Sequence, residues 1–252
     1  MTQLLVSVKN VEEALIALNA GVDIVDLKDP QTGALGALDL ALSAQIVGKT
    51  QQHNQINTKH NPYFQPILIS ATVGENHASL DDLMSSILKR VEINIDIIKV
   101  AIATLEAIPN WQQRFDLREM TTLKADAKLV AVFFADQQVD LKLLETLNKL
   151  GFYGAMLDTN AKQQDLLSIC DVQTLQIFTQ ACKINALKSG VAGSLKPQHI
   201  EFLSKASPFY IGFRGGVCES DARNKTLVMD KVVKVKKLLQ EHNKLNDLAR
   251  QS

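Results

Sequence analysis

Four charged residues stand at or near the ends of short apolar runs, and their types suit carbonyl chemistry. Asp26 and Lys28 close the run Asp23–Lys28, Lys99 lies in Ile95–Val100, and Asp158 follows Tyr153–Leu157 with Lys162 four residues beyond. If these runs are strands, the two-residue period points Asp26 and Lys28 to the same side. A lysine becomes nucleophilic when desolvation or a neighbouring cation lowers its pKa from about 10.4 toward neutrality. Its neutral amine can then attack an aldehyde and form an imine. A second lysine supplies the neighbouring cation and can move protons, while the aspartates orient the ammonium groups or act as acid and base. One such lysine alone reads as a rim residue in a solvated ion pair. Two lysines and two aspartates on three runs read as a pocket.

Two glycine pairs add an anion site. Gly193-Ser194 follows the seventh apolar run and leads into a helix beginning near Pro197, and Gly215-Gly216 follows the eighth run and Arg214. Backbone N–H groups left free in such turns can face a phosphate. Gly33 and Gly36 form a third backbone approach or are simple turn residues.

The elements that must position these residues alternate from end to end. Leu4–Val8 reads as the first strand, and Asn10 caps a helix whose Val11, Ala14, Leu15 and Leu18 share one face. Asp23–Lys28 is the second strand, with a helix over Leu38–Val47. Pro66–Thr72 and Leu80–Val91 form the third unit, and Ile95–Val100 with a helix inside Trp111–Lys124 the fourth. Leu129–Phe134 and Val139–Leu150 come next, then Tyr153–Leu157 and Asp171–Lys183. Ala186–Val191 with Pro197–Lys205, and Phe209–Phe213 with Leu227–Leu239, complete eight strand–helix units. At about 31 residues per unit this is the size of a closed (β/α)8 TIM barrel, an α/β fold in one domain over residues 1–252. In such a barrel, alternate strands feed the same interior layer, so strands two, four and six converge, and the loops after strands seven and eight commonly bind phosphate. An open doubly wound sheet is the second choice, and its dinucleotide-binding form lacks the G-x-G-x-x-G it needs after strand one. The polar stretch Gln51–Gln65 reads as a surface insertion joining helix two to strand three, and the tail after Glu241 as a frayed end.

Other signals fail on context. Gly48-Lys49-Thr50 has Ser43 where a P-loop needs its first glycine, and it follows a helix, so Gly48 reads as a C-cap. His53, His60, His77, His199 and His242 show no zinc spacing, and Cys170, Cys182 and Cys218 form no C-x-x-C, so neither metal nor disulfide is expected. The 27 basic and 27 acidic residues leave no excess charge for a nucleic-acid partner. No apolar run approaches a membrane span and no signal-peptide layout is present, so a cytoplasmic enzyme without cofactor is expected. Its partner is a small molecule, and homo-oligomerisation is left open.

These residues together resemble the (5-formylfuran-3-yl)methyl phosphate synthase family, also called 4-(hydroxymethyl)-2-furancarboxaldehyde-phosphate synthase, over nearly the full length. The resemblance rests on Leu5-Val6-Ser7-Val8, on Asp26-Leu27-Lys28-Asp29-Pro30 with Gly33-Ala34-Leu35-Gly36-Ala37, and on Ser70-Ala71-Thr72-Val73-Gly74. It continues in Ile98-Lys99-Val100, Met156-Leu157-Asp158-Thr159 with Lys162, Ala192-Gly193-Ser194, and Arg214-Gly215-Gly216-Val217-Cys218 with Arg223. It implies a lyase that joins two molecules of glyceraldehyde 3-phosphate, a triose phosphate, with loss of one phosphate and water, in methanofuran biosynthesis and one-carbon metabolism. It further implies Lys28 as the Schiff-base lysine and Lys99 as proton acceptor, with Asp26, Asp158 and Lys162 completing the catalytic set. Gly193, Ser194, Arg214, Gly215 and Gly216 would hold substrate phosphate. After Cys218 the chain departs from the archaeal-type Lys-Gly-Gly-Asp run, having Glu219-Ser220-Asp221-Ala222. A Schiff-base aldolase on another sugar phosphate and a non-catalytic phosphate-binding barrel are the alternatives.

Overall fold

Strand periodicity sorts the residues of each run between two environments, and the computed structural model, which describes residues 1–115, 127–161 and 164–249, follows that sorting. The strands are β1 (Gln3–Val8), β2 (Ile24–Leu27), β3 (Leu68–Thr72), β4 (Ile97–Ala101), β5 (Lys128–Phe134), β6 (Gly154–Asp158), β7 (Lys188–Val191) and β8 (Tyr210–Phe213). Each pairs in parallel with the next, and β8 pairs back onto β1, closing an eight-stranded barrel. Leu4 and Val6 of β1 face the surrounding helices, while Leu5 between them joins Ile24, Ile97, Val130, Met156 and Tyr210 inside the barrel. Burying each such side chain stabilises the fold by about 1.5–3 kcal/mol. The interior is therefore packed, and only its upper end is left for chemistry.

The outer layer comprises α1 (Val11–Asn19), α2 (Leu40–His60), α3 (Leu80–Glu92), α4 (Ile102–Glu106), α5 (Trp111–Arg114), α6 (Leu143–Lys149), α7 (Leu166–Ile169), α8 (Val172–Ile184), α9 (Ile200–Ala206) and α10 (Met229–Ala249). Asn10 caps α1 as its sequence position implies, its side chain accepting from the Glu13 N–H at 2.9 Å. The buried face of α1 is not the expected one throughout. Leu15 is 41% exposed, and Glu13 is wholly buried in its place. No helix among the described residues is long and apolar enough to cross a membrane.

Two segments differ from their sequence reading. Gln51–Gln65 is not an insertion loop over most of its length, because α2 runs unbroken to His60 and Gly48 lies inside it rather than at its cap. Residues 51–60 contain neither proline nor glycine, so nothing stops the helix before Pro62. The Asn54 side chain then clamps Ile67, donating to its carbonyl at 2.9 Å and accepting from its N–H at 3.0 Å. The tail after Glu241 likewise stays helical to Ala249. Asn243 explains why: its side chain is paired with the backbone N–H and carbonyl of Thr2 at 2.8 and 2.9 Å, tying the last helix to the start of the chain. The rest of the helix expected within Trp111–Lys124 lies outside the described residues beyond Phe115.

Candidate active site

Strand register brings the first constellation together. Ser7 of β1, Asp26 of β2 and Ser70 of β3 are consecutive partners across the sheet, so their side chains form one row inside the barrel. Asp26 accepts from the Ser7 hydroxyl at 2.7 Å through Oδ2 and from the Ser70 hydroxyl at 2.8 Å through Oδ1. Lys99 reaches the same Oδ1 from β4, its Nζ 2.6 Å away. Lysine and aspartate side chains are each only 2% exposed. With both oxygens engaged, Asp26 is a fixed counter-ion for Lys99. Burial pushes the Lys99 pKa below the ordinary lysine value; Asp26 works against that fall, and the nearby Lys28 charge adds to it.

Lys28 lies one residue past β2, its N–H bonded to the Val8 carbonyl at 3.1 Å. Its Nζ stands 3.5 Å from Oδ2 of Asp158, at the end of β6, and Asp158 Oδ1 accepts from the Thr159 N–H at 2.7 Å. The Lys28 side chain is 11% exposed against 2% for Lys99. Lys28 is thus the more accessible of the two amines, above a deeper pair. Lys162 lies outside the described residues.

Above these pairs opens a cavity of about 480 Å³, whose lining includes Lys28, Lys99, Asp26, Asp158, Gly193, Ser194, Gly215 and Gly216. The two glycine turns interlock with their neighbours. A Cβ on Gly193, whose φ is +118°, would come within 2.8 Å of the Thr159 side chain, and one on Gly216 within 2.3 Å of the Leu195 carbonyl oxygen. The N–H groups of Gly193, Ser194, Gly215 and Gly216 donate to no acceptor among the described residues. An anion beside them would meet unpaired donors.

Arg214 differs from its sequence reading. Its guanidinium donates through Nε to the Arg223 carbonyl, through Nη1 to the Ser7 carbonyl and Glu13, and through Nη2 to Glu13 and the Lys225 carbonyl. All five N–H donors are spent, so none is left for a phosphate. The residue instead braces the loop after β8 against β1 and α1. Sequence reasoning did not single out Glu13, the buried acid that makes this brace, nor Lys196, which lines the cavity beside the Gly193 turn. Glu13 showed no signal beyond an acid in a first helical turn. Nor did it single out the hydroxyls of Ser7 and Ser70, although strand alternation puts each at an inward position.

A family profile described as 4-HFC-P synthase matches residues 4–236. A protein of Methylorubrum extorquens, provisionally named (5-formylfuran-3-yl)methyl phosphate synthase, is 32% identical over 230 residues, covering 89% of this chain and 86% of that one. The (5-formylfuran-3-yl)methyl phosphate synthase of Methanothermobacter thermautotrophicus is 28% identical over 247 residues, covering 94% and 98%. Among solved structures, the phosphoribosyl anthranilate isomerase of Thermus thermophilus superposes with a TM-score of 0.61 at 10% identity, covering 95% of this chain and 99% of that one. The 3-keto-L-gulonate-6-phosphate decarboxylase of Vibrio cholerae does so with 0.59 at 10% identity, covering 96% and 98%. At such identities these structures speak for the barrel alone.

Proposed function

Because the chain belongs to the 4-HFC-P synthase family, we propose that it condenses two molecules of glyceraldehyde 3-phosphate into (5-formylfuran-3-yl)methyl phosphate through an imine on Lys28. The observation that carries this reading is the pair of stacked ion pairs, Lys28–Asp158 over Lys99–Asp26, at the closed end of a cavity with unpaired backbone donors. The Lys28 amine attacks a triose carbonyl carbon, and expulsion of the carbonyl oxygen as water leaves the iminium. The iminium draws electrons from the adjacent carbon, and Lys99 takes the proton released there. The resulting enamine carbon bonds to the aldehyde of the second triose. Ring closure, hydrolysis of the imine and loss of one phosphate and, in total, two waters give the furan. The amides of Gly193, Ser194, Gly215 and Gly216 hold a substrate phosphate, and a negative group there needs no rearrangement of the backbone. Asp158 sits within reach of Lys28 to shuttle its protons.

The direct test incubates the protein with glyceraldehyde 3-phosphate alone and follows the ultraviolet absorption of a conjugated furan aldehyde together with released phosphate. Both should rise in step. Condensation without phosphate release would mark an aldolase acting on a sugar phosphate, and no change at all would refute the reaction.

A pH prediction follows from the lower pair. As proton acceptor Lys99 must be neutral, so turnover should rise with pH along a limb below the usual lysine range. Asp26→Asn removes the charge and hydrogen bond that raise the Lys99 pKa, so this limb should move to lower pH in the variant. A kcat–pH profile of both proteins checks it; a limb that stays fixed or moves up would assign the titration to another group.

A further inference from the structure

Lysine or arginine lines the cavity at five described positions, and three of them are matched by carboxylates: Lys28 by Asp158, Lys99 by Asp26, Arg214 by Glu13. Lys196 and Arg223 make no salt bridge to a carboxylate among the described residues, and Asp158, Asp29 and Glu75 act on Arg223 only at longer range. Lys196 follows directly on the Gly193–Leu195 turn and adds charge to the phosphate site already described. The backbone of Arg223 lies against Gly215 of that site, but its guanidinium reaches away to the loop after β2. The residue belongs to the loop after β8, but its Nη2 donates to the carbonyls of Pro30 and Gly33, in the loop after β2, at 2.6 and 2.8 Å.

This latch leaves Nε and Nη1, with three N–H donors, without an acceptor among the described residues. A guanidinium stays charged even where burial lowers its pKa, and unmet donors on a half-buried cation cost free energy. Two carbonyls already fix its plane, so an approaching phosphate would find a fork held in place. Its anchor lies two residues past Lys28, whereas the Gly193 and Gly216 amides lie on the β7 and β8 side.

We propose that Arg223 forms a second phosphate-monoester subsite, on the Lys28 side of the cavity, distinct from the one built on the Gly193–Ser194 and Gly215–Gly216 amides. The inference rests on the condensation reading only in assigning this subsite to the second triose phosphate. Two phosphates bound on either side would point both carbon chains into the space between them, over the lysines.

Inorganic phosphate is the probe, because it reports on the subsites without turnover. In calorimetric titration the wild-type chain should bind two phosphates, and Arg223→Gln should bind one, the other weakened about 10- to 100-fold as expected for losing charge-assisted hydrogen bonds. Arg223→Gln also removes the latch, so a second measurement uses the unaltered protein: phosphate should shield Arg223 from phenylglyoxal, read by peptide mass spectrometry. Unchanged modification in saturating phosphate, a single phosphate on the wild type, or two undiminished phosphates on Arg223→Gln would each overturn the proposal. Two bound phosphates without furan formation from triose phosphate would instead count against the reaction and leave the subsite standing.

Discussion

Replacing Lys28 with alanine is expected to lower furan formation by about 10⁴- to 10⁶-fold, the loss typical when a covalent nucleophile is removed. The Asp26–Lys99 pair beneath it does not depend on Lys28 for its contacts, so the fold should persist, as circular dichroism would show. Adding borohydride during turnover should reduce the imine and leave a stable adduct on the peptide containing Lys28 and on no other. Lys28→Arg gives a sharper control. It keeps a cation opposite Asp158 but has no amine able to form an imine, so it should be as inactive as alanine. An alanine variant that kept wild-type turnover, or an adduct found on Lys99, would remove Lys28 from the chemistry.

Breaking the brace at the other end of the site should cost stability instead. Glu13 is wholly buried, and its carboxylate accepts from both Nη1 and Nη2 of Arg214 and from the Lys9 N–H. Glu13→Ala leaves the Arg214 cation half-buried without its counter-charge, a change that costs about 3–5 kcal/mol when one partner of a buried pair is removed. For a chain of this size that corresponds to a fall in Tm of roughly 10 °C. The same variant should bind phosphate more weakly, because Arg214 also ties Ser7, Arg223 and Lys225 to the turn that carries Gly215 and Gly216. Thermal unfolding and phosphate titration measure the two effects separately. A Tm within about 1 °C of the wild type would mean the pair contributes nothing net, as exposed ion pairs often do.

Both outcomes bear on what could be read before any coordinates. The eight units were legible because each strand carries a compact apolar run, and the placement of Asp26, Lys28, Lys99 and Asp158 followed from that count. Local pattern was enough because each of these residues sits in or next to its own strand. The role of Arg214 was not legible, since its acid partner is 201 residues away and joins it only when β8 closes onto β1. A glycine-flanked arginine beside a phosphate loop looks the same in sequence whether its donors are free or spent. The far end of α2 was hidden for a related reason. Residues 51–60 are polar on nearly every face, so no periodicity announces a helix, and the Asn54–Ile67 clamp that fixes its direction is tertiary. Leu15 failed in the opposite sense: the helical period was right, but the position it assigned to the core is held by the acid two residues earlier.

The two stacked ion pairs also divide the chain. Ser7, Asp26, Ser70 and Lys99 all come from the first four strands, while Asp158 and the Gly193 and Gly216 turns come from the last three of the eight. The Lys28–Asp158 contact joins one set to the other across the barrel axis. If Lys28 captures an aldehyde as proposed, that amine and the backbone donors that would hold its substrate come from different portions of the polypeptide. On that reading the first four strands position the lysines and the last three carry the turns that would grip the phosphate. The proposed reaction would then need the closed barrel, since the two sets meet only when β8 pairs back onto β1.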